Sequence, residues 1–571
     1  MQYPTISEYA KAIQDAGANL NKLAHLTPVL DDHGEPYHIS GDSFVVFKMQ
    51  DKTSGKCYAL KCFTEKQEVR AKAYRQIADE RSGVARISRI TITSIRLLEK
   101  ELLVQSQGKE ERYPVMLMNW VDGDSPDVYQ LEIEDMFTEA TNAELNEAIT
   151  DEFGVKYSKD GRKLLQASKE LDGTYSIRKG TKIICDMAFW GYSSLTDIVI
   201  PDSVTSIGND AFMGCGSLGS IVIPDGVTSI GDRVFHGCNF LSNIVIPDSV
   251  TSIGNDAFWS CESLRSIVIP DGVTSIGDSA FEGCSSLSSL VIPDSVTRIG
   301  DSAFLGCSSL SSLIIPNGVN RIGDGAFSGC RSLSDIVIPD SVTSIGDGTF
   351  NGTFSGCRSL SDIVIPDGVT RIGDSAFKDC CSLTNIVIPD GVTSIEFCAF
   401  CGCSSLTNIA IPDGITSIGY GAFDDCSSLK SLEIPDSVTR IGDYAFEGCG
   451  SLKSLVIPDS ITRIENGVFR GCGSLKSLVI PDSITRIENG AFEGCRSLSS
   501  LVIPDGVTSI GHRAFRDCTS LTDIVIPDSV AIIGYYAFEG CSFPYDLKQE
   551  LSSRFGEGIF EQLYGLYYYG E

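Results

Sequence analysis

One stretch recurs along most of the chain and limits the folds open to it: Leu287–Cys307, with the pattern L-x-x-L/I-x-I-P-D-x-V-T-x-I-G-x-x-A-F-x-x-C. Its proline returns every 23 residues from Pro201 to Pro527. The one exception is a step of 27 between Pro339 and Pro366, where residues 348–351 insert an extra tetrad. A repeat this short predicts a solenoid, because each unit (here called a rung) buries its apolar side only by stacking on its neighbours.

The apolar positions of one rung are predicted to point inward: Leu195, Ile198, Ile200, Val204, Ile207, Ala211, Phe212 and Cys215. The Ile-x-Ile segment predicts a short strand, and residues 204–207 a second extended piece. Between them Pro201 turns the chain, with Asp202 expected to bond the backbone ahead. Gly208 is expected to be left-handed. Ala211-Phe212 is expected to start a brief helical turn.

The chain has 21 cysteines, and 15 of them, from Cys215 to Cys541, occupy one position of the rung. A fixed place within a repeat predicts a small buried hydrophobic residue, with disulfide bridging and metal binding as alternatives. The Cys401–Cys403 and Cys380–Cys381 pairs lack the partner spacing of a zinc site.

The net charge is −30, which argues against binding to nucleic acid or to an anionic membrane surface. No apolar run is long enough to predict membrane insertion. The polar N-terminus lacks the layout of a secretory signal, so a cytoplasmic location is expected. The alternative is a protein at the cell surface, or secreted by a non-standard route.

The remaining segments are short helices and strands. Helical spacing predicts an amphipathic helix within residues 4–25 and others at about 65–79 and 136–149. Strands are predicted at 37–39, 43–49, 56–63, 90–106 and 113–122. A hairpin at 155–165 is expected to cover the first open rung, and a helix through Leu547, Leu551 and Phe555 to close the last one. An aromatic tail occupies residues 563–569.

Residues 30–125 resemble the small lobe of a protein kinase, through Ser43–Lys48, Thr53–Lys61 and Pro114–Gly123. The resemblance implies that Lys61 holds nucleotide phosphates and pairs with a helix glutamate, here Glu68. Only Gly41 remains of the glycine-rich loop, and His-Arg-Asp and Asp-Phe-Gly motifs are missing. Lys61 and Glu68 are therefore candidates for a vestigial nucleotide site, and no catalytic residue and no cofactor are predicted.

The repeats resemble the BspA-like, Treponema-type leucine-rich repeat over residues 172–541. This predicts an α+β chain: a leucine-rich-repeat solenoid of about 16 rungs with a parallel β-sheet, preceded by a small β-sheet-plus-helix domain. The predicted division is 1–125, kinase-small-lobe-like; 126–171, connector and N-terminal cap; 172–541, repeats; and 542–571, C-terminal cap and tail. Known members are mostly surface or secreted proteins used for adhesion.

Stacking turns each variable position into a row. An outward row of Val199 and its counterparts is either a binding strip or a sign of strand propensity. Elsewhere three successive rungs carry basic residues at two positions: Lys430, Lys453, Lys476, Arg440, Arg463 and Arg486. They form either a patch neutralised locally by Glu465 and Glu488 or a binding site for an acidic partner.

The sequence therefore predicts a non-enzymatic scaffold for protein–protein interaction, with adhesion or host interaction among its uses. The alternative is a nucleotide-binding, pseudokinase-type regulator whose repeats select a target. No metal site is predicted, and the predicted partner is a protein.

Overall fold

A computed structural model describes residues 5–20, 23–31, 34–41, 44–54, 56–63, 85–87, 90–92, 96–106, 109–119, 138–343 and 352–560. The chain forms two compact units, residues 1–137 and 138–571. Three predictions lie outside the described residues: the helix at 65–79 with Glu68, the tetrad 348–351 and the aromatic tail. The four-part domain division stays a prediction.

The first unit combines two short helices with an antiparallel sheet. Helix α1 (Ile6–Gln14) starts at a capping box between Thr5 and Glu8, and α2 is Ala16–Asn19. The predicted helix is thus shorter than residues 4–25, because Asp15 leaves helical geometry with φ −111° and ψ 56°. Tyr9 and Ile13 are buried against Phe47 and Leu60.

The sheet has the order β1-β3-β4-β8-β7, with β2 paired to β3. Four strands of the sheet lie within four residues of those predicted at 37–39, 43–49, 56–63 and 113–122. The strand predicted at 90–106 is divided into two, and the first strand was not predicted. The strands of the sheet are β1 (Leu26–Pro28), β2 (His38–Gly41), β3 (Phe44–Asp51), β4 (Cys57–Phe63), β7 (Arg96–Ser106) and β8 (Lys109–Asn119). Two further strands, β5 (Ala85–Ile87) and β6 (Ile90–Ile92), pair with each other.

The second unit is a coil in which successive rungs pair in parallel. One face of it, face A, holds the Ile-x-Ile strand of every rung, and paired residues are 23 apart, as in Ser266 and Ser289. Its sixteen strands are β12 (Gly173–Ser176), β14 (Leu195–Val199), β16 (Ser220–Val222), β17 (Asn243–Val245), β18 (Ser266–Val268), β20 (Ser289–Val291), β22 (Ser312–Ile314), β24 (Asp335–Val337), β25 (Asp362–Val364), β26 (Asn385–Val387), β28 (Asn408–Ala410), β30 (Leu432–Glu433), β32 (Ser454–Val456), β34 (Ser477–Val479), β36 (Ser500–Val502) and β38 (Asp523–Val525). The predicted number of rungs is confirmed.

Face B holds the second extended piece of the rung as shorter parallel strands. They are β13 (Ile183–Ile184), β15 (Ser206–Ile207), β19 (Ser275–Ile276), β21 (Arg298–Ile299), β23 (Arg321–Ile322), β27 (Ser394–Ile395), β29 (Ser417–Ile418), β31 (Arg440–Ile441), β33 (Arg463–Ile464), β35 (Arg486–Ile487), β37 (Ser509–Ile510) and β39 (Ile532–Ile533). Isolated bridges such as Ile230–Ile253 continue the face between strands.

Both ends of the coil are covered. Helix α3 is only Asn142–Asn146, because Ile149–Thr150 already forms strand β9. Strands β10 (Lys156–Tyr157) and β11 (Lys163–Gln166) make the predicted hairpin, and β11 pairs with β13 of the first rung. At the other end α4 (Tyr545–Phe555) buries Leu551, and a 3-10 turn (Glu557–Ile559) bonds to the backbone of the last rung.

The interior is built from rows of identical side chains. Sixteen phenylalanines from Phe189 to Phe538 stack with ring centroids 5.1–5.7 Å apart. The fifteen cysteines of the repeat are buried and unbridged, as predicted. Each Sγ also donates to the phenylalanine carbonyl of the preceding rung at 3.1–3.3 Å, from Cys215 to Cys541.

Three details of the predicted rung are wrong. The left-handed residues of this rung are not Gly208 but Asp210, with φ 57°, and Gly214, with φ 73°. Gly208 and its counterparts, the glycine row, lie where the backbones of adjacent rungs approach each other closely. A Cβ at Gly300, for example, would lie 2.6 Å from the backbone nitrogen of Asp278. The exposed Asp202 side chain accepts no bond from its turn, and Ala211-Phe212 lies in a turn without helix.

The four-residue insertion does not disturb the stacking. Phe327 stacks on Phe354 at 5.7 Å, and Cys357 donates to the Phe327 carbonyl across 30 residues instead of the usual 26. The interior rows therefore continue in register on both sides of the insertion.

Candidate binding surface

Lys430, Lys453 and Lys476, the lysine row, stand in adjacent rungs at the start of the face A strands. Backbone N–H groups join them, Lys453 to Lys430 at 3.3 Å and Lys476 to Lys453 at 3.1 Å. All three side chains are exposed. No carboxylate of the described residues lies within ion-pair distance of them. The backbones of the three lysines are therefore about one strand spacing, roughly 5 Å, apart, and their side chains leave the surface from adjacent rungs.

Arg440, Arg463 and Arg486, the arginine row, lie on face B, on a different strand from the lysines. Arg463 contacts Glu488 at 2.6 Å and Glu465 at 3.8 Å. Glu488 raises the pKa of Arg463 through this hydrogen bond. The predicted local neutralisation is thus confirmed for Arg463, whereas Arg440 and Arg486 make no ion pair with any described residue.

Three further arginines occupy the same rung position, and the sequence interpretation passed over them. Arg298 contacts Asp278 at 3.2 Å and Arg321 contacts Asp301 at 3.5 Å. Arg371 contacts Glu396 at 3.3 Å. A search of the Val-Thr-x-Ile position alone would have found them. Basic residues are therefore not confined to one part of face B, but most of them have a partner.

An aliphatic row runs along the outer side of face A. Its side chains are between 51% and 79% exposed: Val199, Val222, Val245, Val268, Val291, Ile314, Val337, Val364, Val387, Val456, Val479, Val502 and Val525. Ala410 and Glu433 interrupt the row. A strip this long exceeds the scattered apolar exposure of an ordinary surface, and it runs beside the lysine row in the rungs of Val456 and Val479.

A ladder of Asp and Asn side chains fastens successive rungs at the residue after the glycine row. Each side-chain Oδ1 accepts from the backbone N–H of its counterpart 23 residues later, at 2.8–3.2 Å. The acceptors are Asp186, Asn209, Asp232, Asn255, Asp278, Asp301, Asp374, Asp443, Asn466 and Asn489. Reading this position down the repeats would have revealed the Asx row, but its role needed the structure.

The ladder is broken at Phe397 and Tyr420, which have no side-chain acceptor at this position. Their rings stack at 5.3 Å and are 47% and 46% exposed. Tyr420 also contacts Tyr444, with centroids 5.5 Å apart. Burial, together with the charges of Asp425 and Glu447, raises the pKa of nearby Asp424 to about 6. Where the ladder is broken, exposed aromatic rings therefore lie near a carboxyl group with a raised pKa.

The predicted nucleotide residues are not brought together by any described contact. Lys61 lies on the central strand β4, paired with Val46 of β3 and Met116 of β8. Glu68 falls outside the described residues. The resemblance of this unit to a kinase small lobe, and its nucleotide site, stay predictions.

Among the described residues, no group of three or more His, Cys, Asp and Glu side chains is arranged to hold a metal ion. The described helices also include none with the length and apolar character needed to cross a membrane.

The parallel coil with its leucine, isoleucine and phenylalanine rows is a leucine-rich-repeat solenoid. A family model described as the BspA type leucine rich repeat region matches residues 173–287, 229–353, 350–476 and 463–566. The chain therefore belongs to the BspA-type leucine-rich repeat proteins, as its repeat pattern predicted.

Two solved structures illustrate the likeness. A leucine-rich repeat protein from Bacteroides ovatus is 31% identical, with 73% of this chain and 97% of that chain covered and a TM-score of 0.42. A leucine rich cell surface protein from Faecalibacterium prausnitzii is 34% identical, with 66% and 94% covered and a TM-score of 0.38. No curated protein matches the chain significantly.

Proposed function

We propose that the repeat unit is a non-enzymatic binding scaffold that holds a protein partner along face A. The partner presents acidic side chains to the lysine row and apolar side chains to the aliphatic row. Leucine-rich repeats suit this role because stacked rungs form an extended, regular surface.

The observation that carries the proposal is the lysine row without counter-ions. Like charges stacked this closely repel each other, and no described carboxylate offsets them. The chain has a net charge of −30, so three adjacent unpaired lysines form a local exception. An acidic partner would relieve the repulsion, and its charge would steer it to this part of a negative protein.

The aliphatic row supplies the rest of the interface. Lys453 directly precedes β32, whose last residue Val456 is 65% exposed. A partner bound over this strand covers an apolar strip and meets ammonium groups at its edge. This is the usual layout of an interface, with an apolar centre and a charged rim.

Affinity capture with the full chain tests the proposal. The bait carrying Lys430→Ser, Lys453→Ser and Lys476→Ser should recover a bound partner at least roughly tenfold less, since three rim charges are lost. A control bait carries Arg298→Ser, Arg321→Ser and Arg371→Ser, which remove the same charge from paired residues. It should recover as much partner as the native chain.

The serine substitutions are compatible with folding because other rungs have serine there. Ser242, at the lysine position of its rung, donates from its hydroxyl to the Gly219 carbonyl at 3.1 Å. Equal melting temperatures of both baits confirm that the fold is intact. Equal recovery by the lysine variant and the native chain would discard the lysine row as the binding site.

The location of the protein in the cell is a separate proposal, and it has two forms. One form places the protein in the cytoplasm, and the other places it at the cell surface, where the scaffold would serve adhesion. Protease treatment of intact source cells separates the two. Digestion of the repeats on intact cells supports the surface form, and protection until lysis supports the cytoplasmic form.

A further inference from the structure

Cys398 and Cys401 lie outside the buried cysteine row and close to each other. They are the first and fourth residues of a β-turn, since the Cys401 N–H donates to the Cys398 carbonyl at 3.1 Å. In such a turn the two Cα atoms are less than about 7 Å apart, and disulfides span Cα separations of about 4.4–6.8 Å. Both are free thiols in the structure.

The side chains of this pair face each other and a carboxylate. A hydrogen bond from the Cys401 thiol lowers the pKa of Cys398, against the opposing effect of burial and aided by the charge of Lys378. The same hydrogen bond raises the pKa of Cys401, whose Sγ also lies 3.9 Å from Oδ2 of Asp424. Of the two thiols, Cys398 is therefore the one that ionises more readily, and Cys401 directs its hydrogen at the Asp424 carboxylate.

The cysteines of the interior row are different. Burial raises the pKa of each of them, as for Cys284, whose pKa is about 12. Each also donates its thiol hydrogen to a phenylalanine carbonyl. Thiols of this kind are inert because the thiolate is the reactive form. Cys401, by contrast, is partly exposed. Cys398 is only 7% exposed, but it follows the half-exposed Phe397 in the chain and lies in the same turn as Cys401, so a small oxidant reaches the pair from the side of Cys401.

We propose that Cys398 and Cys401 are a redox site that closes to an intramolecular disulfide when a hydroperoxide oxidises it. The Cys398 thiolate attacks an oxygen of hydrogen peroxide, the O–O bond breaks, and a sulfenic acid forms on Cys398. The leaving hydroxide takes up the proton that the Cys398 thiol released on ionising, which gives the first water. Cys401 then gives its proton to the Asp424 carboxylate and attacks the Cys398 sulfur. The S–O bond breaks, and the oxygen leaves as water with the proton from Asp424. Two thiols are oxidised, and one peroxide is reduced to two molecules of water.

The test uses the full chain, hydrogen peroxide and mass spectrometry of alkylated peptides. In the native protein, the peptide with Cys398 and Cys401 should lose two hydrogens, resist alkylation, and recover both thiols after treatment with dithiothreitol. Cys401→Ser should block the disulfide and leave a sulfenic acid on Cys398 that dimedone labels. Asp424→Asn should slow closure at neutral pH, because it removes the proton acceptor.

Cys381→Ser is the matched control, since Cys381 is a partly exposed cysteine beside a row cysteine, one rung away. This variant should close the disulfide as the native chain does. The proposal is overturned if both thiols remain alkylatable at a dose that oxidises Cys381, or if the disulfide that forms joins Cys381 or Cys403 instead. Circular dichroism of each variant shows that loss of closure does not come from unfolding.

Discussion

Arg298 and Arg321 occupy the same rung position as Arg440 and Arg486, yet only the first two are paired. The residue 20 positions earlier differs between the two sets. It is Asp278 or Asp301 for the paired arginines, but Tyr420 or Asn466 for the unpaired ones. The charge of the outer surface is therefore set by combinations of residues from adjacent rungs, and not by any single rung.

The packing of the interior should be equally stable in the region with paired arginines and in the region with unpaired ones. Phe304 stacks between Phe281 and Phe327 at 5.4 and 5.5 Å, and Phe446 between Phe423 and Phe469 at 5.4 and 5.7 Å. Phe304→Ala and Phe446→Ala should each cost about 3–5 kcal/mol, because each leaves a large cavity. Hydrogen exchange of the affected rungs measures both losses, since solenoids open locally. Clearly unequal losses of stability for the two variants would show that the interior packing differs between the two regions.

The region with unpaired arginines should also respond to pH through Asp424. The pKa of this carboxyl is raised from 3.8 to about 6, so the folded state binds a proton more tightly than the unfolded chain. Stability should fall as pH rises between these two values and stay level above them. Asp424→Asn should remove this slope in urea titrations. Glu282→Gln, at the same rung position in the other region, should keep it.

Tyr420→Asp should convert the unpaired arrangement into the paired one. The new carboxylate lies 20 positions before Arg440, as Asp278 lies 20 positions before Arg298. Its Oδ1 can also accept a hydrogen bond from the Asp443 N–H. The change also removes the ring contacts of Tyr420 with Phe397 and Tyr444, so the expected effect is a coupling of about 0.2–1 kcal/mol between the new carboxylate and Arg440, and not a net gain in stability. A double-mutant cycle with Arg440→Ser measures the coupling, and zero coupling would show that position alone does not set the pairing. Asn466→Asp is the equivalent change for Arg486.

Asp278→Asn should have the smallest effect. It keeps the Oδ1 that accepts from the Asp301 N–H at 3.0 Å and removes only the charge facing Arg298. A loss of at most about 0.5 kcal/mol is expected, and high salt should abolish it. Asp278→Ala removes the ladder bond too, so its loss should be larger and should persist in salt.

The repeat pattern predicted the solenoid, its rung count and the buried cysteines because apolar stacking acts at identical positions in every rung. It did not predict the Asx ladder. Asp, Asn and His differ in charge and alternate irregularly at this rung position, yet all offer an acceptor to the next rung. His512 does so with Nδ1, which lies 2.9 Å from the Tyr535 nitrogen. A shared hydrogen-bonding role is invisible until the rungs are superposed in space.

The pairing of surface charges was also only partly predictable. Glu465 and Glu488 were identified as counter-charges from their place in the same rungs, but both contact Arg463. A glutamate can lie near arginines of two adjacent rungs. The distance between the side chains decides which arginine it contacts, and that distance cannot be read from the sequence. The Cys398–Cys401 pair was not predicted, because neither residue occupies the cysteine position of the repeat and only the turn brings them together.

The uniform contact between neighbouring rungs has a genetic consequence. The thiol bond and the phenylalanine stack are the same at nearly every step, so a segment encoding one whole rung can be duplicated or deleted and its flanking rungs still meet compatible surfaces. Each such event would change the length of face A by one strand spacing, about 4.8 Å. The reach of this protein can thus be adjusted in fixed increments during evolution, without redesign of its core.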